Sequence, residues 1–182
     1  SNSHPTLTGV TIAGNHSEDG VSALSVVDSA PVASQLGIHN NAAPMGATVY
    51  MSGNDVHLAH VDISDNTAER GGGVKLSNAS NGTEPVLEHV SITGNEASEY
   101  GGGIYLSEAQ PLLSNILVEG NHSGHDGGGI AAWAWHSSGT VEMRNVAIVG
   151  NTADRDGGGI HLFDDAHVEA HNTTIIGNQC AE

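Results

Sequence analysis

Seven times along the chain, an apolar residue stands three positions before an asparagine. The repeated asparagines are Asn15, Asn41, Asn66, Asn95, Asn121, Asn151 and Asn178. They are separated by 26, 25, 29, 26, 30 and 27 residues. Repeats of this length are typical of solenoids, in which each repeat forms one coil and stacks on the next. The pattern therefore predicts stacked coils with a period of about 27 residues.

Within each repeat, pairs of apolar residues two positions apart predict three short strands, because residues i and i+2 of a strand share one face. Strand one follows a glycine run and supplies Ala23/Ser25, Val49/Met51, Val74/Leu76, Ile104/Leu106, Ile130/Ala132 and Ile160/Leu162. Strand two supplies Val56/Leu58, Leu87, Leu113, Val141/Met143 and Val168/Ala170. Pro85 and Pro111 precede two of these strands, and their missing amide donors indicate strand ends. Strand three supplies Val10/Ile12, Leu36/Ile38, Val61/Ile63, Val90/Ile92, Ile116/Val118, Val146/Ile148 and Thr173/Ile175.

Three strands per coil, each stacked on its counterpart, form a parallel β-helix with apolar columns inside. The right-handed twist of β-strands and the preference for right-handed crossover connections favour a right-handed β-helix. We therefore expect an all-β, right-handed parallel β-helix of about six to seven coils. Residues 1–182 form a single domain in this interpretation, as a fragment of a longer solenoid or of a multidomain surface protein.

A second polar column lies six residues before each repeated asparagine. Its members are Gly9, Gln35, His60, His89, Asn115, Asn145 and Asn172. A bend without an extra loop favours a left-handed residue, which glycine and asparagine tolerate best. Stacked asparagine amides also bond along a solenoid axis. We interpret both asparagine columns as structural turn columns.

Glycine triplets precede strand one at residues 71–73, 101–103, 127–129 and 157–159. A phosphate loop needs a following helix and a lysine signature, and these triplets are followed by strands. They therefore indicate tight turns into strand one.

The triplets and asparagines together carry a family resemblance. The sequence reads GGGV or GGGI at Gly71–Val74, Gly101–Ile104, Gly127–Ile130 and Gly157–Ile160, and IxxN at Ile63–Asn66, Ile92–Asn95 and Ile148–Asn151. This resembles the GGA[ILV] and FxxN repeats of polymorphic outer membrane proteins, with glycine replacing the alanine and isoleucine replacing the phenylalanine. The resemblance implies a secreted or surface-displayed bacterial passenger, associated with the outer membrane and often adhesive, and it supplies no catalytic residues.

Composition narrows the choice of partners. The formal charge is -17, with four basic and 21 acidic residues, and such a surface repels nucleic acid and anionic membranes. Clustered carboxylates either increase solubility or bind hard cations such as calcium. The single cysteine, Cys180, forms no intrachain disulfide. No apolar segment is long enough to span a bilayer.

Asp126 and Asp156 are the first candidate site, because both immediately precede a glycine triplet in neighbouring coils. Stacking brings them about one strand spacing apart, where two carboxylates share a cation or act in glycoside hydrolysis. His161 lies nearby on the outward face of strand one. The alternative is that each aspartate only caps a turn.

Trp133 and Trp135 are the second candidate site. Alternation turns both rings outward, where aromatic faces stack on a sugar. Local packing beneath a folded-back loop is the alternative.

The sequence predicts two alternative functions. The favoured one is a noncatalytic passenger, stalk or adhesin-like segment that needs no cofactor, with calcium as the candidate ion. Its partners would be a glycan or a host or cell-surface protein, and exposed coil ends would permit end-to-end self-association. The alternative is a polysaccharide-binding or polysaccharide-degrading β-helix, a lyase or glycosidase using Asp126, Asp156 and His161.

Overall fold

The computed structural model describes residues 5–27, 31–53, 56–77, 85–134 and 140–181. Among these residues there is no helix long and apolar enough to cross a membrane. In chain order the strands are β1 (Thr6–Thr8), β2 (Thr11–Ala13), β3 (Val21–Val27), β4 (Val32–His39), β5 (Ala42–Ala43), β6 (Ala47–Ser52), β7 (His57–Ser64), β8 (Thr67–Arg70), β9 (Val74–Ser77), β10 (Val86–Thr93), β11 (Glu96–Tyr100), β12 (Ile104–Ser107), β13 (Leu112–Glu119), β14 (His122–Ser123), β15 (Ile130–Ala134), β16 (Thr140–Val149), β17 (Thr152–Ala153), β18 (Ile160–Asp164), β19 (His167–His171), β20 (Thr174–Ile176) and β21 (Gln179–Cys180).

The described strands form three parallel sheets that run the length of the stack. Sheet I has the order β1-β4-β7-β10-β13-β16-β19, with β2 beside β4 and β20 beside β16. Sheet II has the order β5-β8-β11-β14-β17-β21, and sheet III has the order β3-β6-β9-β12-β15-β18. Each strand pairs with its counterpart one coil away, as the repeat predicts. The predicted all-β parallel solenoid is confirmed.

The predicted strands two and three both belong to sheet I. In β10 they form one continuous strand, and His89 bends it with φ 53°. The equivalent residues of the turn column have φ between 52° and 66° and are Gly9, Gln35, His60, Asn115, Asn145 and Asn172. A second left-handed column, not anticipated from the sequence, immediately precedes the repeated asparagines. Its members have φ between 54° and 68° and are Gly14, Asn40, Asp65, Gly94, Gly120, Gly150 and Gly177.

Sheet II was not predicted from the sequence. The segments between each repeated asparagine and the glycines, to which the sequence assigned no strand, contain the strands of sheet II. Several are only two residues long, as in Ala42–Ala43 and His122–Ser123, so they show no alternation to detect. The buried residue in β5, β8, β11, β14 and β17 is small, as with Ala97 and Ser123.

The first coil also differs from the expectation. A register shift between Val21 and Leu24 places Leu24 opposite Val49 and Val26 opposite Met51. The inward pair opposite Val49 and Met51 is therefore Leu24/Val26. The inward assignment of Ser25 was wrong, because this residue is exposed, whereas Ala23 does pack against the core. A bulge inserts a residue that simple alternation does not anticipate.

Inward side chains from the sheets form one apolar core. Ile38, Ile63, Ile92, Val118 and Ile148, which end successive strands of sheet I, are each 0% exposed. The prolines lie at strand ends as predicted, and the end in both cases is the first one, because β10 begins directly after Pro85 and β13 directly after Pro111. The Pro85 carbonyl still accepts the Leu112 amide at 2.9 Å.

The repeated asparagines form a continuous ladder, which is buried from Asn41 to Asn151. Asn95 Nδ2 donates to Asn121 Oδ1 at 3.0 Å and to the Ile63 carbonyl at 3.0 Å. Asn95 Oδ1 accepts from Asn66 Nδ2 at 2.9 Å and from the Asn66 amide at 3.1 Å. Equivalent side-chain bonds link every consecutive pair from Asn15 to Asn178. Every donor and acceptor of the Asn95 amide is thus satisfied without water, as buried polar groups require.

The glycine triplets turn the chain from sheet II into sheet III. Gly101 has φ 67°, a conformation that strains other residues. A Cβ at Gly102 would lie 2.4 Å from the His122 carbonyl oxygen of the next coil. Glycine therefore lets neighbouring coils approach closely at this turn, and it fixes where sheet III begins.

We predict that Asn95→Ala lowers the free energy of unfolding by about 3 to 5 kcal/mol, because it removes the Oδ1 acceptor shared by the buried main-chain and side-chain donors of Asn66. Asn121 Oδ1 loses one donor but keeps the main-chain amide of residue 95. Urea unfolding followed by circular dichroism measures the change. Asn145→Ala is the matched control: Asn145 is exposed, so water replaces its bonds, and the left-handed backbone costs about 1 kcal/mol. Equal losses in the two variants would show that the ladder does not stabilise the fold as described.

Candidate functional site

The outward face of sheet III carries the candidate ligand-binding residues. Strand pairing aligns one column consisting of Tyr50, Lys75, Tyr105, Ala131 and His161. A second column two residues later consists of Ser52, Ser77, Ser107, Trp133 and Phe163. Trp133 therefore lies beside Phe163 on the neighbouring strand, facing outward as alternation predicts.

An aromatic cluster covers one end of this face. The Trp133 and Phe163 rings stack with centroids 4.9 Å apart, and His161 stacks on Phe163 at 4.1 Å. Tyr100 packs edge-on against Trp133 at 6.2 Å and against Phe163 at 5.6 Å. Trp133 is half-buried, so its ring is both outward-facing and locally packed. Trp135, the other predicted ligand contact, lies outside the described residues.

A depression of about 240 Å³ lies next to the cluster. It is lined by Arg70, Tyr105, Ser107, Glu108 and Trp133. Tyr105 is 5% exposed and Trp133 is only partly buried, so the tryptophan presents the larger aromatic surface to solvent. The remaining lining groups are a guanidinium, a hydroxyl and a carboxylate, which together donate and accept hydrogen bonds.

Two of the four basic residues of the chain lie on or beside this face. Arg70 bonds Glu99 through Nε at 2.6 Å and lies 5.7 Å from the centre of the Tyr100 ring. Burial lowers the pKa of Arg70, but the hydrogen bond and charge of Glu99 outweigh this effect, and the net pKa is raised. Lys75 Nζ lies 5.8 Å from the ring centres of both Tyr50 and Tyr105. The face thus combines fixed cations with aromatic rings.

An acidic corner adjoins the aromatic cluster. Asp126, Asp156 and His161 each offer one ligand atom, and these atoms lie within 4.8 Å of one another. Asp126 is 7% exposed, and its Oδ1 accepts the Asp156 amide at 3.0 Å. This bond crosses between coils, so Asp126 holds the turn that precedes the next glycine triplet. The structure therefore brings the three predicted residues together, while their metal-binding and catalytic roles stay predictions.

The sequence analysis missed several residues of the site. Tyr100 contacts Trp133 and Phe163, yet it lies in a segment for which no strand was predicted. Its position in the repeat could have revealed it. The residues immediately before the four glycine triplets are Arg70, Tyr100, Asp126 and Asp156. Phe163 could have been found from its alignment with Trp133 two positions after the predicted inward residues.

Burial of Tyr105 gives a prediction for pH dependence. Burial raises the pKa of Tyr105 above its ordinary value of 10.0, and the charge of Arg70 opposes part of the rise. The unfolded chain releases this proton near pH 10, and the folded chain holds it to higher pH. The contribution of Tyr105 to the unfolding free energy is therefore present below about pH 10 and is lost as the pH rises through the folded pKa.

We expect the difference in unfolding free energy between the wild type and Tyr105→Phe to shrink as the pH rises from about 9 to about 11. Urea unfolding at several pH values measures it, and tyrosinate absorbance of the two folded proteins provides the control. A difference that stays constant, or that grows with pH, would contradict the buried environment of this hydroxyl.

Comparisons with known proteins were made for the whole chain. Curated proteins and solved structures gave no match. The family model described as "Right handed beta helix region" matches residues 1–180. The match covers nearly all the repeats and agrees with the three parallel sheets and with the handedness predicted from the sequence. The chain belongs to the right-handed β-helix family.

Proposed function

We propose that this chain is a noncatalytic, adhesin-like segment of a secreted or surface-displayed bacterial protein, and that the depression on sheet III binds a saccharide. The observation that carries the proposal is the set of groups lining the depression. Trp133 forms an aromatic wall, and Arg70, Ser107 and Glu108 surround it with polar groups. The rest of the proposal draws on the resemblance to polymorphic outer membrane protein repeats.

The lining suits a sugar for two reasons. A pyranose has an apolar C–H face that stacks on an aromatic ring, and its hydroxyls both donate and accept hydrogen bonds. The stack of Trp133 on Phe163 holds the indole in place before a ligand arrives. A ring that is already fixed loses little conformational freedom on binding. The entropic cost of binding is therefore smaller than it would be for a mobile ring.

Size and charge narrow the saccharide class. A volume of about 240 Å³ accommodates one or two sugar rings, less than typical pockets for drug-sized ligands. The formal charge of -17 disfavours polyanionic glycans. Arg70 is already paired with Glu99, so its charge is largely compensated. These features favour a short neutral saccharide or a single terminal residue of a longer chain.

Polysaccharide cleavage is the second candidate function, because Asp126 and Asp156 place carboxylates close together. A retaining glycosidase holds its two carboxyl groups about 5 Å apart. Against cleavage, Asp126 is buried and accepts the Asp156 amide, which is a structural role. Release of reducing ends by the wild type, abolished by Asp156→Asn, would favour the enzyme.

We predict that a glycan array identifies saccharide ligands of the wild type, and that Trp133→Ala weakens binding of those ligands by about five- to thirtyfold. Loss of the aromatic wall removes a stacking contact of about 1 to 2 kcal/mol and opens the depression to water. Titration calorimetry with the saccharide found on the array measures the loss.

Tyr50→Ala is the matched control. Tyr50 lies on the same face of sheet III, pairs with Lys75 in register, and does not line the depression. We expect this variant to bind as the wild type does, with both variants checked for folding by circular dichroism. Absence of binding to the array, or equal binding by Trp133→Ala, would contradict the proposal.

A further inference from the structure

We propose that Asp126, Asp156 and His161 bind one divalent transition-metal ion of the Zn²⁺ type. The site lies at the acidic corner, outside the depression assigned to the saccharide, and does not rest on that assignment. The three residues come from neighbouring coils, so an ion there would link the coils across the glycine turn.

The distances among the three side chains fit a common ion. Their ligand atoms lie within 4.8 Å of one another. Zinc bonds to imidazole nitrogen and carboxylate oxygen are about 2.0 to 2.2 Å long, so ligand atoms around one ion lie roughly 3 to 4 Å apart. Asp156 is exposed, so solvent rather than packed side chains surrounds much of its carboxylate. A small rotation of this side chain is enough to complete the coordination.

The glycine turn fixes the relative positions of Asp156 and His161. Gly157 has φ 62°, and a Cβ at this position would lie 2.7 Å from His161 Cβ. The chain therefore folds back so tightly after Asp156 that His161 lies directly against the turn. Stacking of His161 on Phe163 at 4.1 Å fixes the plane of the imidazole. Two of the three ligands are thus held near one another by the backbone itself.

Asp126 supplies a second and independent indication of a cation. The residue as a whole is only 7% exposed. Within the described parts of the chain, it accepts one neutral amide hydrogen bond and forms no ion pair. A buried carboxylate is costly without a compensating charge, and the nearby Asp156 carboxylate adds repulsion. A divalent cation would offset both effects.

The donor set selects the kind of ion. Imidazole suits zinc and its neighbours in the first transition series, whereas calcium takes six to eight oxygen ligands. Calcium, expected from the carboxylates alone, is therefore a poorer fit once His161 is included. Three protein ligands leave a position for water in a four-coordinate zinc site. The charge of -17 also raises the local concentration of cations at the surface.

Titration calorimetry with Zn²⁺, without saccharide, tests the site. We expect saturable binding by the wild type and at least tenfold weaker binding by Asp156→Asn and by His161→Gln. Both residues are at least partly exposed, so the variants are expected to fold, and circular dichroism verifies this. Co²⁺ titration gives a second readout, because ligand loss changes its visible absorption.

Asp154→Asn and His171→Gln are the matched controls. Both residues are exposed and lie outside the cluster, so these variants are expected to bind Zn²⁺ as the wild type does. A parallel Ca²⁺ titration is expected to show weaker binding. Absence of saturable Zn²⁺ binding, unchanged affinity in both cluster variants, or tighter binding of Ca²⁺ would overturn the proposal.

Discussion

The buried asparagine ladder is the interaction on which the rest of the structure depends. Asn41, Asn66, Asn95, Asn121 and Asn151 are each at most 1% exposed, yet their amides are fully bonded along the axis. An amide displaced by one residue would leave buried donors and acceptors without partners. The ladder therefore fixes the register of every coil, and a register error would turn inward residues outward. Spacings from 25 to 30 residues are tolerated because the extra residues lie outside the ladder.

The same constraint places the candidate sites. A Cβ at Gly129 would lie 3.1 Å from Asn151 Nδ2, so the ladder and the glycine turn pack against each other. The glycine turns determine where β15 and β18 begin. This places Trp133 opposite Phe163 on the neighbouring strand. Ala131 is 0% exposed on the outward face between Tyr105 and His161. Its small side chain leaves the space above it to the surrounding aromatic rings.

Much of the fold could be predicted from the sequence, because the inward residues alternate along each strand and the turn residues are types with strong local conformational preferences. Proline at positions 85 and 111 and asparagine at 115 and 145 carry such local signals. Sheet II could not be predicted, since strands such as Ala42–Ala43 are too short to alternate. The bulge between Val21 and Leu24 likewise has no local signal. Candidate sites were predicted in part: Asp126 and Asp156 follow from stacking, whereas the contacts of Tyr100 depend on side-chain directions across coils.

The asparagine ladder supports the face of sheet III on which we propose that a saccharide binds. One ¹⁵N heteronuclear correlation titration with a saccharide found on the array tests both parts, because it detects the asparagine side-chain amides and the tryptophan indole together. We expect saturable shifts of the Trp133 indole signal, while the side-chain amide signals of Asn66, Asn95 and Asn121 stay unchanged. An unchanged Trp133 signal with shifts on sheet I, or shifts throughout the ladder, would contradict this proposal.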